Sequence, residues 1–258
     1  MREKLSKAEI MHFLKNDSAG VSLSVVDTTE STNSDLKKAA QNGAPDGIVF
    51  IAESQTAGRG RMGRDFYSPP GSGIYLSYLY KGEFEPDTTV RMTTAASVAA
   101  CRAIERVTGL SPQIKWVNDI YLYNKKICGI LAEAVTEPQS GRIIGIVVGI
   151  GINCTTDCFP DELSEKAGSI IQGGQMPRNE LAAAVITEFK NVKNLAESGS
   201  YIDEYKRRSM VIGKEIEVSY DKKTVFAIDI DKNGGLVVKY NDGRIKTLSS
   251  GEISIRIK

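Results

Sequence analysis

Histidine and tryptophan each occur once in 258 residues and cysteine four times. No apolar run approaches the roughly 18 residues of a membrane-spanning helix. Cys101, Cys128, Cys154 and Cys158 form no pair of C-x-x-C units and have only His12 as an imidazole partner. That spacing argues against a zinc framework and for thiols in a reducing cytoplasm. The start, Met1-Arg2-Glu3-Lys4-Leu5-Ser6, has no apolar segment of the secretory kind. Asn16-Asp17-Ser18 and Asn153-Cys154-Thr155 are therefore not read as glycosylation sites. Net charge is only +1, so no global field favours nucleic acid or an anionic membrane. There is no internal repeat and no low-complexity segment.

What remains is ordinary globular material, 41% hydrophobic and 25% charged. Ser6 to Lys15 reads as a short amphipathic helix, and Val21 to Val26 alternates as a strand does. A helix capped by Ser31 or Thr32 runs to Gln41 and stops at Asn42-Gly43. Strands follow at Asp46–Glu53 and Ile74–Tyr80. An alanine-rich helix spans Thr88 to Thr108 and ends at Gly109. Strand patterns recur at Ile114–Val117, Tyr121–Tyr123, Lys125–Glu133 and Arg142–Ile152, and helical ones at Asn179–Ser198 and Tyr201–Arg208. Beyond Met210 only short alternating strands occur, with turns at Asp231–Gly235 and Asn241-Asp242-Gly243. The expected fold class is α+β: a mixed or antiparallel sheet with helices over residues 1–209, then a small all-β barrel over 210–258 that packs on the larger part.

Gly58-Arg59-Gly60-Arg61-Met62-Gly63-Arg64 alternates glycines, which permit close backbone approach, with arginines, whose forked donors suit phosphate or carboxylate. It matches G-x-G-x-x-G, but Ser68-Pro69-Pro70-Gly71 forbids the helix that a dinucleotide site requires next. Four more stretches bear polar chemistry. Glu30-Ser31-Thr32-Asn33 opens a helix. Lys115-Trp116-Val117-Asn118-Asp119 gathers a cation, an amide and a carboxylate at a strand end. Lys125 to Glu133 is a lysine-led strand. Gly149-Ile150-Gly151-Ile152-Asn153 is a strand with glycines where something approaches closely.

Taken together and in this order, the five stretches resemble the biotin protein ligases, over roughly residues 20 to 258. That family's markers are a Ser-Thr-Asn helix start, a Gly-Arg-Gly-Arg-x-Gly-Arg loop, Lys-Trp-Pro-Asn-Asp, Lys-x-x-Gly-Ile-Leu and Gly-x-Gly-x-Asn. Gly251-Glu252-Ile253-Ser254-Ile255-Arg256 is like its C-terminal signature. The resemblance implies a biotin/lipoate ligase-like catalytic domain with an SH3-like C-terminal barrel. It implies biotin and ATP as substrates, Mg²⁺, a biotinyl-adenylate intermediate and a biotin carboxyl carrier protein as acceptor. It also implies roles. Ser31, Thr32, Asn33 and Gln55 line the ureido end of biotin. Arg59, Gly60 and Arg61 close over its chain and carboxylate, with Gly129 and Gly149 beneath. Lys126 meets the reacting carboxylate and α-phosphate, and Arg61, Lys126 and Lys115 carry the chemistry. Arg64, Phe66, Lys115, Trp116, Asn118, Asn153, Glu252 and Arg256 face the nucleotide, and Asp119 meets the metal.

Three departures stand out. Val117 replaces the family's proline, which leaves the turn less rigid. Phe66 stands where some members have a tryptophan over the adenine. Some members carry an N-terminal winged helix-turn-helix, and the residues ahead of Val21 are too few for one, so the expectation is a ligase without operator binding. The rival readings are a lipoate or octanoate ligase on the same fold and a non-catalytic biotin-sensing regulator. The family includes monomers and dimers, and the sequence leaves a homodimer open.

Overall fold

Period-two alternation in three adjacent strands decides where everything else goes. In the computed structural model, which describes residues 3–219, 222–249 and 255–257, the chain runs α1 (Lys7–Leu14), β1 (Ser22–Thr29), α2 (Thr32–Gln41), β2 (Ile48–Gln55), β3 (Gly73–Lys81), α3 (Thr88–Thr108), β4 (Gln113–Lys115), β5 (Asp119–Leu122), β6 (Lys125–Thr136) and β7 (Ile143–Asn153). Then come α4 (Asp161–Ser164), α5 (Arg178–Phe189), α6 (Val192–Ser198), α7 (Ile202–Arg208) and the short strands β8 (Glu215–Val218), β9 (Lys223–Ile230), β10 (Leu236–Tyr240), β11 (Ile245–Leu248) and β12 (Ile255–Ile257). β1 to β7 form one seven-stranded sheet in the order β1-β2-β3-β7-β6-β5-β4. Only β1 and β2, joined through α2, run parallel among its pairs. β8 to β12 form a second, antiparallel sheet of five strands.

Ile74, Leu76, Tyr78, Ile146, Val148, Ile150, Cys128 and Ile130 point to one face, where α3 and α5 cover them and α6 packs on α3. The helix α3 suits this place because Ala95, Ala96, Ala99 and Ala100 keep its buried side thin. The left-handed Gly109 (φ 69) closes it with a hydrogen bond back to Glu105. The intervening residues Leu79, Val135 and Val147 point to the other face, beneath Leu36 and Ala40 of α2. Ser77, Gly149, Gly151, Gly129, Leu131 and Glu133 share that parity, so the polar and side-chain-free positions of the sheet lie on the α2 side.

The small sheet joins the main core rather than standing apart, and Ile216, Val225, Ala227, Leu236 and Val238 belong to the same buried cluster as α3. The Trp116 indole N–H donates to the Gly234 carbonyl at 2.9 Å, Lys206 pairs with Asp229, and Gly234 lies against Thr94. The helix expected over Asn179–Ser198 is two helices, broken at Lys190-Asn191, and the single turn α4 carries no sequence periodicity. Cys101, Cys128 and Cys154 are buried free thiols and Cys158 is exposed. Burial pushes the Cys101 thiol up to about 12. Among the described residues no helix is long and apolar enough to cross a membrane.

Candidate functional site

Two rows of residues running across the strands make the floor of the site. Ser77, Gly149 and Leu131 are register partners in β3, β7 and β6, and Tyr75, Gly151, Gly129, Asp119 and Lys115 form the next row across to β4. On the first row lies Asn33, from the first turn of α2. A methyl at position 149 would overlap the Asn33 amide. The Asn33 Nδ2 donates to the Leu131 carbonyl at 3.2 Å and to Glu133 Oε2 at 2.9 Å, and its Oδ1 accepts from Ser77 at 2.5 Å. On the second row lies Phe66, whose ring would overlap a methyl at Gly151 and reaches 3.2 Å from one at Gly129. Its ring meets Tyr75 edge-on, with centroids 6.4 Å apart. The sequence reading left the space over Gly149 to a ligand; the structure gives it to Asn33, and gives the space over Gly151 to Phe66. The signal of close approach was sound, and the approaching groups are side chains distant in sequence.

The start of α2 is polar and enclosed. Ser31, Thr32 and Asn33 are all buried, and Ser77, fully buried, contacts Thr32 Oγ1 at 2.7 Å. Gln55 at the end of β2 turns its Oε1 to the Thr32 N–H at 3.0 Å and donates through Nε2 to Ser68 Oγ at 2.9 Å. A cleft of about 250 Å³ opens beside them, lined by Glu30, Ser31, Arg59, Gly60 and Arg64 among others.

The arginine loop is a folded hairpin here. The backbones of Arg59 and Asp65 pair as an isolated antiparallel bridge, Gly60 N–H donates to the Arg64 carbonyl at 2.7 Å, and Phe66 N–H donates to the Gly58 carbonyl at 2.8 Å. Met62 (φ 59) and Gly63 (φ 70) make its left-handed tip. Gly58 has to be glycine, because a Cβ there would lie 2.5 Å from the Phe66 carbonyl oxygen and 2.7 Å from Ser68 Oγ. Arg59 reaches Glu133 at 3.4 Å, where Lys37 also binds at 3.1 Å. Arg64 is exposed at the rim.

The reacting end gathers around the last members of the second row. Lys126 Nζ pairs with Asp119 Oδ1 at 2.6 Å, both partly buried. Arg61 donates to Asn118 Oδ1 at 3.3 Å, and Asn118 Nδ2 donates to the Ile130 carbonyl at 2.7 Å. Burial lowers the Arg61 guanidinium from its usual value, Arg64 adds to that, and Asp119 opposes it. Lys115 stands over the Tyr121 ring at 5.8 Å, and burial together with Asp119 pushes that phenol up to about 12. The backbone of Lys126 is held by Lys166 and Gly168, and Asn153 donates to the Gly168 carbonyl at 3.1 Å. Asn153 Oδ1 is buried and has no partner among the described residues, an acceptor left over in a closed place. Trp116 is buried with its N–H on Gly234, so it faces the seam with the small sheet rather than the open side. The Trp116–Val117 peptide bond is cis. Glu252 lies outside the described residues. Arg256 pairs with Glu217 through the backbone of β12. Asp119 belongs to no group of three His, Cys, Asp or Glu able to hold a metal among the described residues.

Sequence reasoning missed Ser77, Glu133 and the pair Glu53–Arg178. The last is buried at 2.9 Å, with Arg178 also on the Gly73 and Glu3 carbonyls and Glu53 accepting from the N–H groups of Leu5 and Gly71. It ties the N-terminal segment to the chain leaving the arginine loop.

A mixed sheet with glycines beneath a helix start, beside a cationic loop, defines a class shared with known enzymes. Residues 25–153 match the biotin/lipoate A/B protein ligase family, and residues 211–256 match the biotin protein ligase C-terminal domain. The bifunctional ligase/repressor BirA of Bacillus subtilis is 32% identical, over 98% of this chain and 79% of that protein. The biotin–[acetyl-CoA-carboxylase] ligase of Mycobacterium tuberculosis is 32% identical, over 90% of this chain and 88% of that protein. Among solved structures, the Aquifex aeolicus biotin protein ligase in complex with biotin and ATP superposes with TM-score 0.78 at 28% identity, covering 92% of this chain and 99% of that one. The chain belongs to the biotin protein ligase family, whose members are ligases.

Proposed function

We propose that this chain joins biotin to one lysine of a biotin carboxyl carrier domain, using ATP, through biotinyl-5′-AMP. The observation that carries the reading is the placement of Arg61 on Asn118 and Lys126 on Asp119, at the end of the glycine row and beside the polar start of α2. A carboxylate is a poor electrophile. Its oxygen attacks the α-phosphorus of ATP and pyrophosphate leaves; the carrier lysine's amine then attacks the acyl carbon of the adenylate, forming the amide as AMP leaves and the amine gives up a proton. The first step crowds several negative charges into one place, where Arg61 and Lys126 stabilise them. Lys126, a point charge on a flexible stem, exchanges Asp119 for the reacting carboxylate and α-phosphate. Thr32 and Gln55 hold the ureido ring, Arg59 and Gly60 lie along the chain, and Phe66 shields the intermediate from water. Asn153 Oδ1 is an acceptor for the adenine amino group. Residues 1–209 supply this chemistry and residues 210–258 support it.

Mg²⁺ suits one carboxylate, because it keeps waters and takes most other oxygens from phosphates. Asp119 and the nucleotide would hold it, and it would neutralise phosphate charge. The proposal concerns the ligase half of the Bacillus relative's name. Its test is a carrier-labelling assay. Biotin with ATP should yield the adenylate and then label one carrier lysine, and labelling by lipoate in its place would overturn the assignment.

A further inference from the structure

The turn that carries Asn118 is held from both sides. The ladder between β4 and β5 ends where Lys115 faces Asp119, so Trp116, Val117 and Asn118 lie beyond it. On the open side the Ile130 N–H donates to the Asn118 carbonyl at 3.0 Å, and the side chains of Asn118 and Asp119 meet Arg61 and Lys126. From beneath, the Tyr205 hydroxyl on α7 donates to the Val117 carbonyl at 3.1 Å. Val117 is buried and Tyr205 is fully so.

A phenylalanine would fill the same space with no hydroxyl to strip of water, so packing does not account for the oxygen. The bond it makes is to the carbonyl next to Asn118. Burial pushes the phenol well above its ordinary value, Tyr201, Cys101 and Asp119 add to that and Arg61 opposes it, so the group keeps its proton and stays a donor. The helix beneath is itself fixed. Glu204 and Arg208 of α7 pair with Arg102 and Glu105 of α3, and Lys206 pairs with Asp229 of β9. Just past α7, the Met210 N–H donates to the Ile114 carbonyl of β4 at 2.9 Å. The turn lacks such a constraint of its own, because valine at 117 leaves free the φ that proline would fix.

We propose that Tyr205 is a positioning residue for the reaction, holding the Val117 carbonyl so that Asn118 and Asp119 keep their places while their partners move. This rests on the ligase reading above, in which Lys126 leaves Asp119 for the reacting carboxylate and α-phosphate. At that moment the ion pair at 2.6 Å opens, and the tie from beneath is unchanged. A turn free to follow Lys126 would carry Asn118 with it, and Asn118 is the acceptor that aims Arg61 at the developing charge. Tyr205 acts only through the backbone between Trp116 and Asn118.

The test compares Tyr205→Phe with the unaltered chain in single-turnover adenylate formation and in biotin binding by calorimetry, each with and without Val117→Pro. Tyr205→Phe should lower the rate of the chemical step about five- to ten-fold, the size of one net hydrogen bond, and change biotin affinity less than about two-fold. In the Val117→Pro background the same change should cost less than about two-fold, because the ring fixes φ whether or not the carbonyl is held. An unaltered rate would overturn the inference. So would an equal loss in rate and in biotin affinity, or a loss of the same size with proline at 117, since either would make the hydroxyl a matter of general stability. Failure of the unaltered chain to form an adenylate from biotin and ATP would overturn the ligase reading instead, and that result reads separately from the variants.

Discussion

Glu53 is the position where a one-residue change should cost most outside the site. Its carboxylate is the counter-ion of Arg178, which is 1% exposed, and it also accepts from the N–H groups of Leu5 and Gly71. Arg178 has further bonds of 2.6 to 3.0 Å to the Gly73 and Glu3 carbonyls, so it cannot leave for water without breaking them. Glu53→Ala therefore strands a buried guanidinium, a situation worth about 3–5 kcal/mol. For a chain of this size that is a fall in Tm on the order of 10 °C. Urea unfolding by circular dichroism measures the loss, with the slope of the transition checked for a single cooperative step. The double variant Glu53→Leu with Arg178→Met removes the stranded charge and should lose less than the sum of the two single variants. A single-variant loss below about 1 kcal/mol, or strict additivity in the pair, would show that the buried charge is not what holds this junction.

Lys126→Ala should lower kcat/KM for adenylate formation by roughly 100- to 1000-fold, about 2.7–4 kcal/mol, and leave Tm nearly unmoved, because the side chain is one third exposed; a stopped assay of pyrophosphate release reads the first and unaltered kinetics would remove the residue from the mechanism. Acid should loosen the joint between α3 and α7. Burial pushes the Glu204 carboxyl up, but hydrogen bonds from Arg102 and Arg208 outweigh that and leave it below the ordinary value of 4.5, and Arg208 lowers Glu105 likewise. Lowered values in the folded state mean that the unfolded chain takes up protons first. The stabilisation is therefore whole above pH 4.5 and lost as pH falls below it. Arg208→Met should flatten the decline of the urea midpoint between neutral pH and about pH 3.5, and parallel curves for the two proteins would refute the assignment.

The elements that could be read from the sequence are those with a local cause. The helix α3 runs from Thr88 to Thr108 as its alanine pattern and Gly109 predict, and the strand spans fall within a few residues of their alternation. The break between α5 and α6 has no mark in the sequence, because Lys190-Asn191 carries neither proline nor glycine. The site divides in the same way. Glycine spacing announced close approach at 149 and 151, yet only the fold says that Asn33 and Phe66 are what approach. Ser77 lies in a strand that reads as apolar, and Glu133 meets Asn33 across 100 positions of sequence, so no local pattern could join them. Trp116, read beside its polar neighbours as facing the nucleotide, spends its one donor on a turn that the sequence marked only as a hairpin.

That donor has a consequence for anyone who treats the C-terminal sheet as an exchangeable module. Trp116 stands between Lys115 and the Asn118-Asp119 pair, so the same few residues line the open side and grip the back. A graft from another member of the family would have to bring a carbonyl to where Gly234 now offers one, at the same height above Thr94. Without it, the buried indole N–H would be left with no acceptor two residues before Asn118. The match to the C-terminal family begins at residue 211, while one of the bonds that ties that part to the site starts from Trp116.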